Sequence, residues 1–234
     1  MMARMNQIID LLDRRVSLRS YAERDIEQQH LDAVIESAMR APTAGNMMLY
    51  SVIVVKDGEK KQRLSETCDH QPFIAKAPVV LIFLADMQRW FDYYEHCGVR
   101  KFCQERDLDY TAPDTADLLL AASDALIAAQ NAVIAAESLG IGSCYIGDIM
   151  ENHEIHKESL GLPDWAFPIS MLCLGYYPDG HKRVRRERFG REFVVFEEAY
   201  RRLSPGELDA MFRDRQGRFP ESNSFGAKTV GQLT

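Results

Sequence analysis

The run Ala77 to Ala85, APVVLIFLA, is apolar without a break. A strand with one wet face alternates apolar and polar residues, so this run predicts a strand covered on both faces. It is about half of the roughly 20 residues a membrane helix needs. Two covered faces require helices, and the chain supplies them. The stretch TADLLLAASDALIAAQNAVIAAESLG, Thr115 to Gly140, combines strong helix formers with small side chains that allow close packing, and Gly140 is the expected C-cap. It is the expected central buried helix. Leu31, Val34, Ile35, Ala38 and Met39 mark the apolar stripe of a second helix bounded by Pro42. NQIIDLLDRR reads as a short amphipathic helix.

YSVIVVKDG predicts a strand ended by a turn at Asp57-Gly58, SCYIGDI a short strand, and FPISMLCLGYY a further buried one. ENHEIHKESLGLP reads as a charged helix, and EFVVFEEAY as an extended or mixed element. Residues 86–113, rich in aromatics and charges, give no clear period. After Arg201 the chain is rich in Arg, Asp and Gly with scattered Phe212, Phe219 and Phe225, a composition that cannot build a core. The expected organisation is one α+β domain over residues 1–200. A C-terminal extension, 201–234, is then either disordered or laid against another surface such as a partner subunit.

With 46% hydrophobic residues and a net charge of −7, neither nucleic acid nor an anionic membrane is an expected partner. Asp10, Asp13, Arg14 and Arg15 interrupt what would be a signal peptide's apolar core, and five cysteines without framework spacing fit a reducing cytoplasm. No metal site is expected: Cys97 and Cys103 lack partners, and His153 and His156 read as a solvated helix face. Neither a Gly-x-Gly-x-x-Gly fingerprint nor a P-loop occurs.

Against this acidic background two cationic runs stand out, RRVSLR (Arg14 to Arg19) and KRVRRER (Lys182 to Arg188). By itself the first reads as a helix end whose cations complement the C-terminal dipole. If the chain becomes extended after Asp13, Arg15, Ser17 and Arg19 share one side while Val16 and Leu18 face the core. Such a set suits a phosphate monoester, which offers three acceptor oxygens to bidentate guanidinium groups. Cys144 and Cys173 lie in apolar runs and read as inert core thiols.

ESAMRAPTAGNMMLYSVIVVKD joins a helix to a strand through Pro-Thr-Ala-Gly-Asn. With Arg15-x-Ser17-x-Arg19 upstream, it resembles the nitroreductase family of FMN-dependent oxidoreductases. QPFIAKAPVVLIFLAD, AAQNAVIAAESLGIGSCYIGDI and LCLGYYPDG…RRERFGREFVVFEEAY follow in the order of that family, so the resemblance spans about Arg14 to Tyr200. It implies a mostly antiparallel sheet of four to five strands flanked by helices, with FMN as cofactor and NADH or NADPH as reductant. It also implies a homodimer with flavin sites at the interface.

Site residues follow from the same resemblance. Arg15 and Ser17, with Val16 between them, would meet the FMN phosphate together with Arg186 and Arg188, while Arg183 and Arg185 would be solvated neighbours. Arg19 would sit by the flavin pyrimidine edge, where a fixed cation stabilises the negative charge that two-electron reduction places around N1. Asn46 and Gln71 would hydrogen-bond the ribityl chain or ring edge. Tyr145, Ile146, Gly147 and Asp148 would lie against the ring, Gly147 allowing close backbone approach. The segment Trp90 to Tyr110 would form a lid or pocket wall beside the flavin's exposed face. No side chain is expected to act as acid, base or nucleophile, because the flavin carries the chemistry. Met47-Met48-Leu49-Tyr50 departs from the family's pattern, Met48 replacing an amide with a softer apolar group. The rival readings are a flavin-binding redox or regulatory protein of the same fold, and a reductive dehalogenase-like relative.

Overall fold

The computed structural model describes residues 6–220 and 226–233; Phe225 lies outside the described residues. The chain forms two compact units, the first ending at Arg185 and the second beginning at Arg186.

In the first unit, strands β1 (Tyr50–Val55), β2 (Val79–Asp86), β3 (Ile141–Ile146) and β4 (Ala166–Tyr176) form one sheet in the order β1-β2-β4-β3. Every neighbouring pair is antiparallel. Helices α1 (Gln7–Arg14), α2 (Gln28–Met39), α3 (Gly58–Thr67), α4 (Pro72–Lys76), α5 (Gln88–His96), α6 (Val99–Gln104), α7 (Thr115–Ser138) and α8 (His153–Leu160) surround it. All of β2 is buried, as its unbroken apolar run requires. Val79, Leu81 and Phe83 pack with α2 and the alanines of α7, among them Ala125, Ala128, Ala129 and Ala132. Val80, Ile82 and Leu84 pack on the other side with Leu64, Ile74, Ile149 and Leu162. An antiparallel sheet commonly leaves one face in water; here helices cover both.

β4 carries a proline in its interior, which a central strand tolerates only at an irregularity. Phe83 pairs with Ser170 and Leu84 with Pro168, so Ile169 is the extra residue of a bulge that accommodates Pro168. α7 starts in a reciprocal capping box: Asp114 accepts from Ala116 N at 2.7 Å and Asp117 N at 3.3 Å, and Asp117 accepts from Asp114 N at 3.0 Å. It ends at Gly140, φ +76°, in the left-handed region glycine favours. By length and mean hydropathy (1.6) α7 could cross a membrane, yet its alanine face is the core contact of the sheet.

The structure corrects four local expectations. Asp57-Gly58 is a helix start, because Asp57 Oδ1 accepts from Lys60 N at 2.8 Å and caps α3. Met39, at the end of the α2 stripe, is 53% exposed. The segment 86–113 carries two short helices, α5 and α6, separated at Gly98, φ +70°. His153 and His156 are not a solvated face: His153 stacks on Phe167 at 4.3 Å, and His156 is buried.

In the second unit, α9 (Arg191–Val194) is one helical turn that overlaps the start of EFVVFEEAY. α10 (Pro205–Gly217) is capped by Ser204, whose backbone N–H donates to Glu207 Oε2 at 2.9 Å, and α11 (Val230–Leu233) closes the chain. Arg215 lies 3.8 Å over the Phe189 ring, which packs edge-on to Phe212. Among the described residues no hydrophobic side chain of this unit is buried, and α10 is regular structure that the composition after Arg201 did not predict.

His156 gives the fold a pH limit. Its Nδ1 lies 2.7 Å from the Ile149 carbonyl and must donate to it, so neutral Nε2 accepts from the Thr67 hydroxyl at 2.9 Å. Burial, aided by His153, holds its pKa below the ordinary value despite the Ile149 hydrogen bond. The unfolded chain therefore takes up a proton near pH about 6.5 that the folded chain resists, so stability is full above that pH and falls below it. Urea unfolding from pH 7.5 to 5 is expected to show this loss, and His156→Gln to flatten it.

Candidate functional site

α1 ends at Arg14, and Arg15 has extended backbone, φ −60°, ψ 134°. The alternation expected of an extended strap is present: Val16 and Leu18 are buried, Ser17 and Arg19 exposed, Arg15 half-buried. The strap docks on β3 through a parallel bridge between Ser17 and Ser143, with Leu18 N donating to Ser143 O at 2.9 Å.

Two glycines make room for it. Gly142 and Gly175 are register partners on β3 and β4. A Cβ on Gly142 would lie 2.5 Å from Leu18 Cδ2, and one on Gly175 would lie 2.5 Å from Tyr21 Cδ1. The strap thus lies in a slot that only paired glycines leave open. Because Val16 is buried, only its backbone can face a ligand.

Arg15 Nη1 and Ser143 Oγ are buried and have no hydrogen-bond partner among the described residues. A buried donor without a partner is costly, more so on a charged group, and phosphate oxygens are the acceptors this donor set matches. Cys144 lies beneath the strap: burial pushes its thiol up, while Arg19, Ser17 and Arg15 pull it back, the last most weakly of the three residues' leading effects. Burial raises the Cys173 thiol as well, so both stay protonated at neutral pH, as inert core thiols should. Burial also raises the Tyr145 phenol to about 12, with Arg15 acting in the opposite sense.

Arg19 lies 5.6 Å from the centroid of Phe73 on α4, the helix whose N-cap is Gln71. Gln71 is held through both backbone and side chain. Its N donates to Ser65 O at 2.9 Å and its carbonyl accepts from Ser65 Oγ at 2.8 Å. Its Nε2 donates to Cys68 O at 3.0 Å and Asp148 Oδ2 at 2.9 Å. Gly147, just before Asp148, has φ −85°, and a Cβ there would meet only Met150 Cε at 3.9 Å. The protein's own packing does not require that glycine.

Asn46 is exposed on a loop of unusual backbone: Gly45, Asn46 and Met48 have φ +55°, +57° and +52°. Asp124, buried on α7 and unmarked by the sequence analysis, holds this loop from below. Its carboxylate accepts from Ala44 N at 3.0 Å and Leu49 N at 3.2 Å. From above, Trp90 Nε1 donates to Met47 O at 2.8 Å and Arg89 Nη2 to Met48 O at 2.7 Å. Leu49 and Tyr50 are buried in the core, so of the departing Met47-Met48-Leu49-Tyr50 segment only the methionines are partly exposed.

Among the second cluster's arginines, Arg183 is not a solvated neighbour. It pairs with the buried Glu137 of α7 and covers the Tyr177 ring at 4.0 Å, and Tyr177 Oη donates to Glu137 at 2.8 Å. Arg185 pairs with Asp13 on the surface. Arg186 and Arg188 belong to the second unit and are exposed. Among the described residues there is no metal-binding group of His, Cys, Asp and Glu.

The fold and site define an α+β protein with a cationic strap docked on the edge of its sheet. Residues 12–176 match the sequence model of the Nitroreductase family. The FMN reductase [NAD(P)H] of Bacillus subtilis is 36% identical over 207 residues, 87% of this chain and 78% of that protein. Nitroreductase A from Vibrio parahaemolyticus superposes with a TM-score of 0.80 at 27% identity, over 98% of this chain and 89% of that one. The NADPH:FMN oxidoreductase from Vibrio harveyi complexed with NAD+ gives a TM-score of 0.78 at 27% identity, over 97% and 89%. The chain belongs to the nitroreductase family of FMN-dependent NAD(P)H oxidoreductases.

Two substitutions test the scaffold. Gly142→Ala forces Leu18 out of its slot and is expected to cost about 1–3 kcal/mol, read as a lower Tm. Asp124→Ala strands the Ala44 and Leu49 N–H groups and is expected to cost about 3 kcal/mol, with Asp124→Asn recovering part by keeping one acceptor.

Proposed function

We propose that the chain passes a hydride from NADH or NADPH to a quinone, nitroaromatic or similar acceptor through FMN, by a ping-pong mechanism in a homodimer. The observation that carries this reading is the buried Nη1 of Arg15, without a hydrogen-bond partner among the described residues, at the head of an Arg-x-Ser-x-Arg strap in a chain of this family. FMN, when bound, supplies the chemistry of taking up and releasing the hydride.

The chain's residues bind and orient. Arg15 and Ser17 would hold the phosphate, and the resemblance adds Arg186 and Arg188 to that role. Arg19 would present a fixed positive charge to the pyrimidine edge, and Asn46 and Gln71 would provide polar contacts. Tyr145, Ile146, Gly147 and Asp148 would line the ring. The spare room at Gly147 supports close approach of a ligand to its backbone, since internal packing gives no other reason for a glycine. α5 lies over the Asn46 loop, which supports its expected place as a pocket wall. A single pocket serving reductant and acceptor in turn accounts for ping-pong order, the first product leaving before the second substrate enters.

The apolar surface supports a homodimer. Ile8, Ile9 and Leu12 on α1, and Leu119, Leu120, Leu126 and Ile127 on α7, are exposed large hydrophobics on neighbouring helices. Self-complementary contact between two copies would remove them from water. A reducing cytoplasm fits the five free cysteines.

Purified protein is expected to be yellow and to release FMN on denaturation, identified by mass, and Arg15→Ala to be colourless. Steady-state NAD(P)H oxidation with a quinone should give parallel double-reciprocal lines. Colour without turnover would instead favour the flavin-binding regulatory reading, and intersecting lines would rule out one shared pocket.

A further inference from the structure

Gln71 and Asp148 are joined by one hydrogen bond whose direction has a consequence for recognition. The Gln71 amide has two N–H donors, and both are committed within the protein. One goes to the Cys68 carbonyl at 3.0 Å and the other to the Asp148 carboxylate at 2.9 Å. Both partners are acceptors only, so the amide cannot be turned round without setting its carbonyl oxygen against two other oxygens. The backbone on either side is equally fixed. Asp69 and His70 take left-handed conformations, φ +57° and +48°, and Ser65 closes both polar groups of the Gln71 main chain. A side chain anchored in this way has one capacity left for a ligand, acceptance at Oε1.

We propose that Asp148 is a positioning residue that sets the Gln71 amide so that Gln71 recognises FMN through a hydrogen-bond donor of the cofactor and offers it no donor in return. This rests on the reading that FMN binds here. FMN has two kinds of uncharged donor, the pyrimidine N3–H and the ribityl hydroxyls, and its ring carbonyls are excluded as partners of Gln71. The Asp148 carboxylate is thereby engaged by Gln71, which leaves its main chain to line the ring. Its carboxylate acts on the buried Cys68 thiol, which burial first and Asp148 second raise to about 12. Arg19, over Phe73 on the helix that Gln71 caps, is left to serve the cofactor's carbonyl oxygens.

The test compares flavin affinities of the full chain freed of flavin, titrated with FMN and with 3-methyl-FMN, which lacks the N3 donor. Gln71→Leu keeps the size of the side chain and removes the acceptor; it is expected to weaken FMN about tenfold. Asp148→Ala releases the amide and is expected to lose part of that affinity, whereas Asp148→Asn retains an acceptor for Nε2 and should stay within about threefold of wild type. A wild-type preference for FMN over 3-methyl-FMN that shrinks in Gln71→Leu assigns the donor to N3–H. An unchanged preference with weakened FMN binding assigns it to a ribityl hydroxyl; either supports the proposal. Wild-type chain that binds FMN while Gln71→Leu and Asp148→Ala bind it equally well overturns this inference alone. Wild-type chain that binds no FMN overturns the functional reading beneath it. Should Asp148→Ala fail to fold, Gln71→Leu and Asp148→Asn decide: unchanged affinity in the first, or a tenfold loss in the second, overturns the proposal.

Discussion

The site depends on a steric vacancy in the sheet. Gly142 and Gly175 face each other across β3 and β4, and Leu18 and Tyr21 occupy the space where their side chains would be. Buried apolar contact in that slot, reinforced by the Leu18 to Ser143 hydrogen bond, turns the five residues Arg15 to Arg19 after α1 into an extended strap with fixed register. Register decides which face is cationic, because a shift of one residue would bury the arginines and expose Val16 and Leu18. The cationic side is therefore a consequence of where two glycines fall in two strands far apart in sequence.

α7 has a second role beside closing the core. Its alanines bring the helix close to the sheet, and two carboxylates emerge from that same buried surface. Asp124 takes two backbone N–H groups from the Asn46 loop, and Glu137 takes Arg183 and the Tyr177 hydroxyl. Both acids are almost wholly buried, and each is satisfied by partners from another part of the chain. An unpaired carboxylate there would cost several kcal/mol, so each makes its partner segment hard to displace. One helix thus organises the loop before β1 and the segment after β4.

The sequence made the local patterns legible. β2 could be read because an unbroken apolar run has few structural solutions, and the strap because arginines and apolar residues alternate with period two. Asp124 and Glu137 could not be read, since a charged residue in an alanine-rich helix gives no sign of facing inward until the loops that meet it are placed. Gly142 and Gly175 look like ordinary turn or strand-end glycines for the same reason: the atoms that exclude a Cβ come from Leu18 and Tyr21. His156 misled in the opposite sense, as a polar residue in a charged helix whose ring is nonetheless satisfied in the core. The aromatic segment after β2 lacked a period because α5 and α6 are short and neither carries a full buried face.

The departure at Met47-Met48-Leu49-Tyr50 now has a physical reading. Leu49 and Tyr50 are core residues at the start of β1, and the loop before them is held almost entirely through main-chain atoms: Ala44 N, Leu49 N, Met47 O and Met48 O. A loop specified by backbone contacts to Asp124, Trp90 and Arg89 tolerates changes of side chain at Met47 and Met48 without losing its shape. The left-handed backbone at Gly45, Asn46 and Met48 persists because these contacts over-determine it. What varies at such a loop is the chemistry of the surface it presents, here two flexible thioether side chains beside the exposed amide of Asn46. Geometry and surface chemistry are separable at this loop, because its main chain is held by Asp124, Trp90 and Arg89 whatever side chains Met47 and Met48 present.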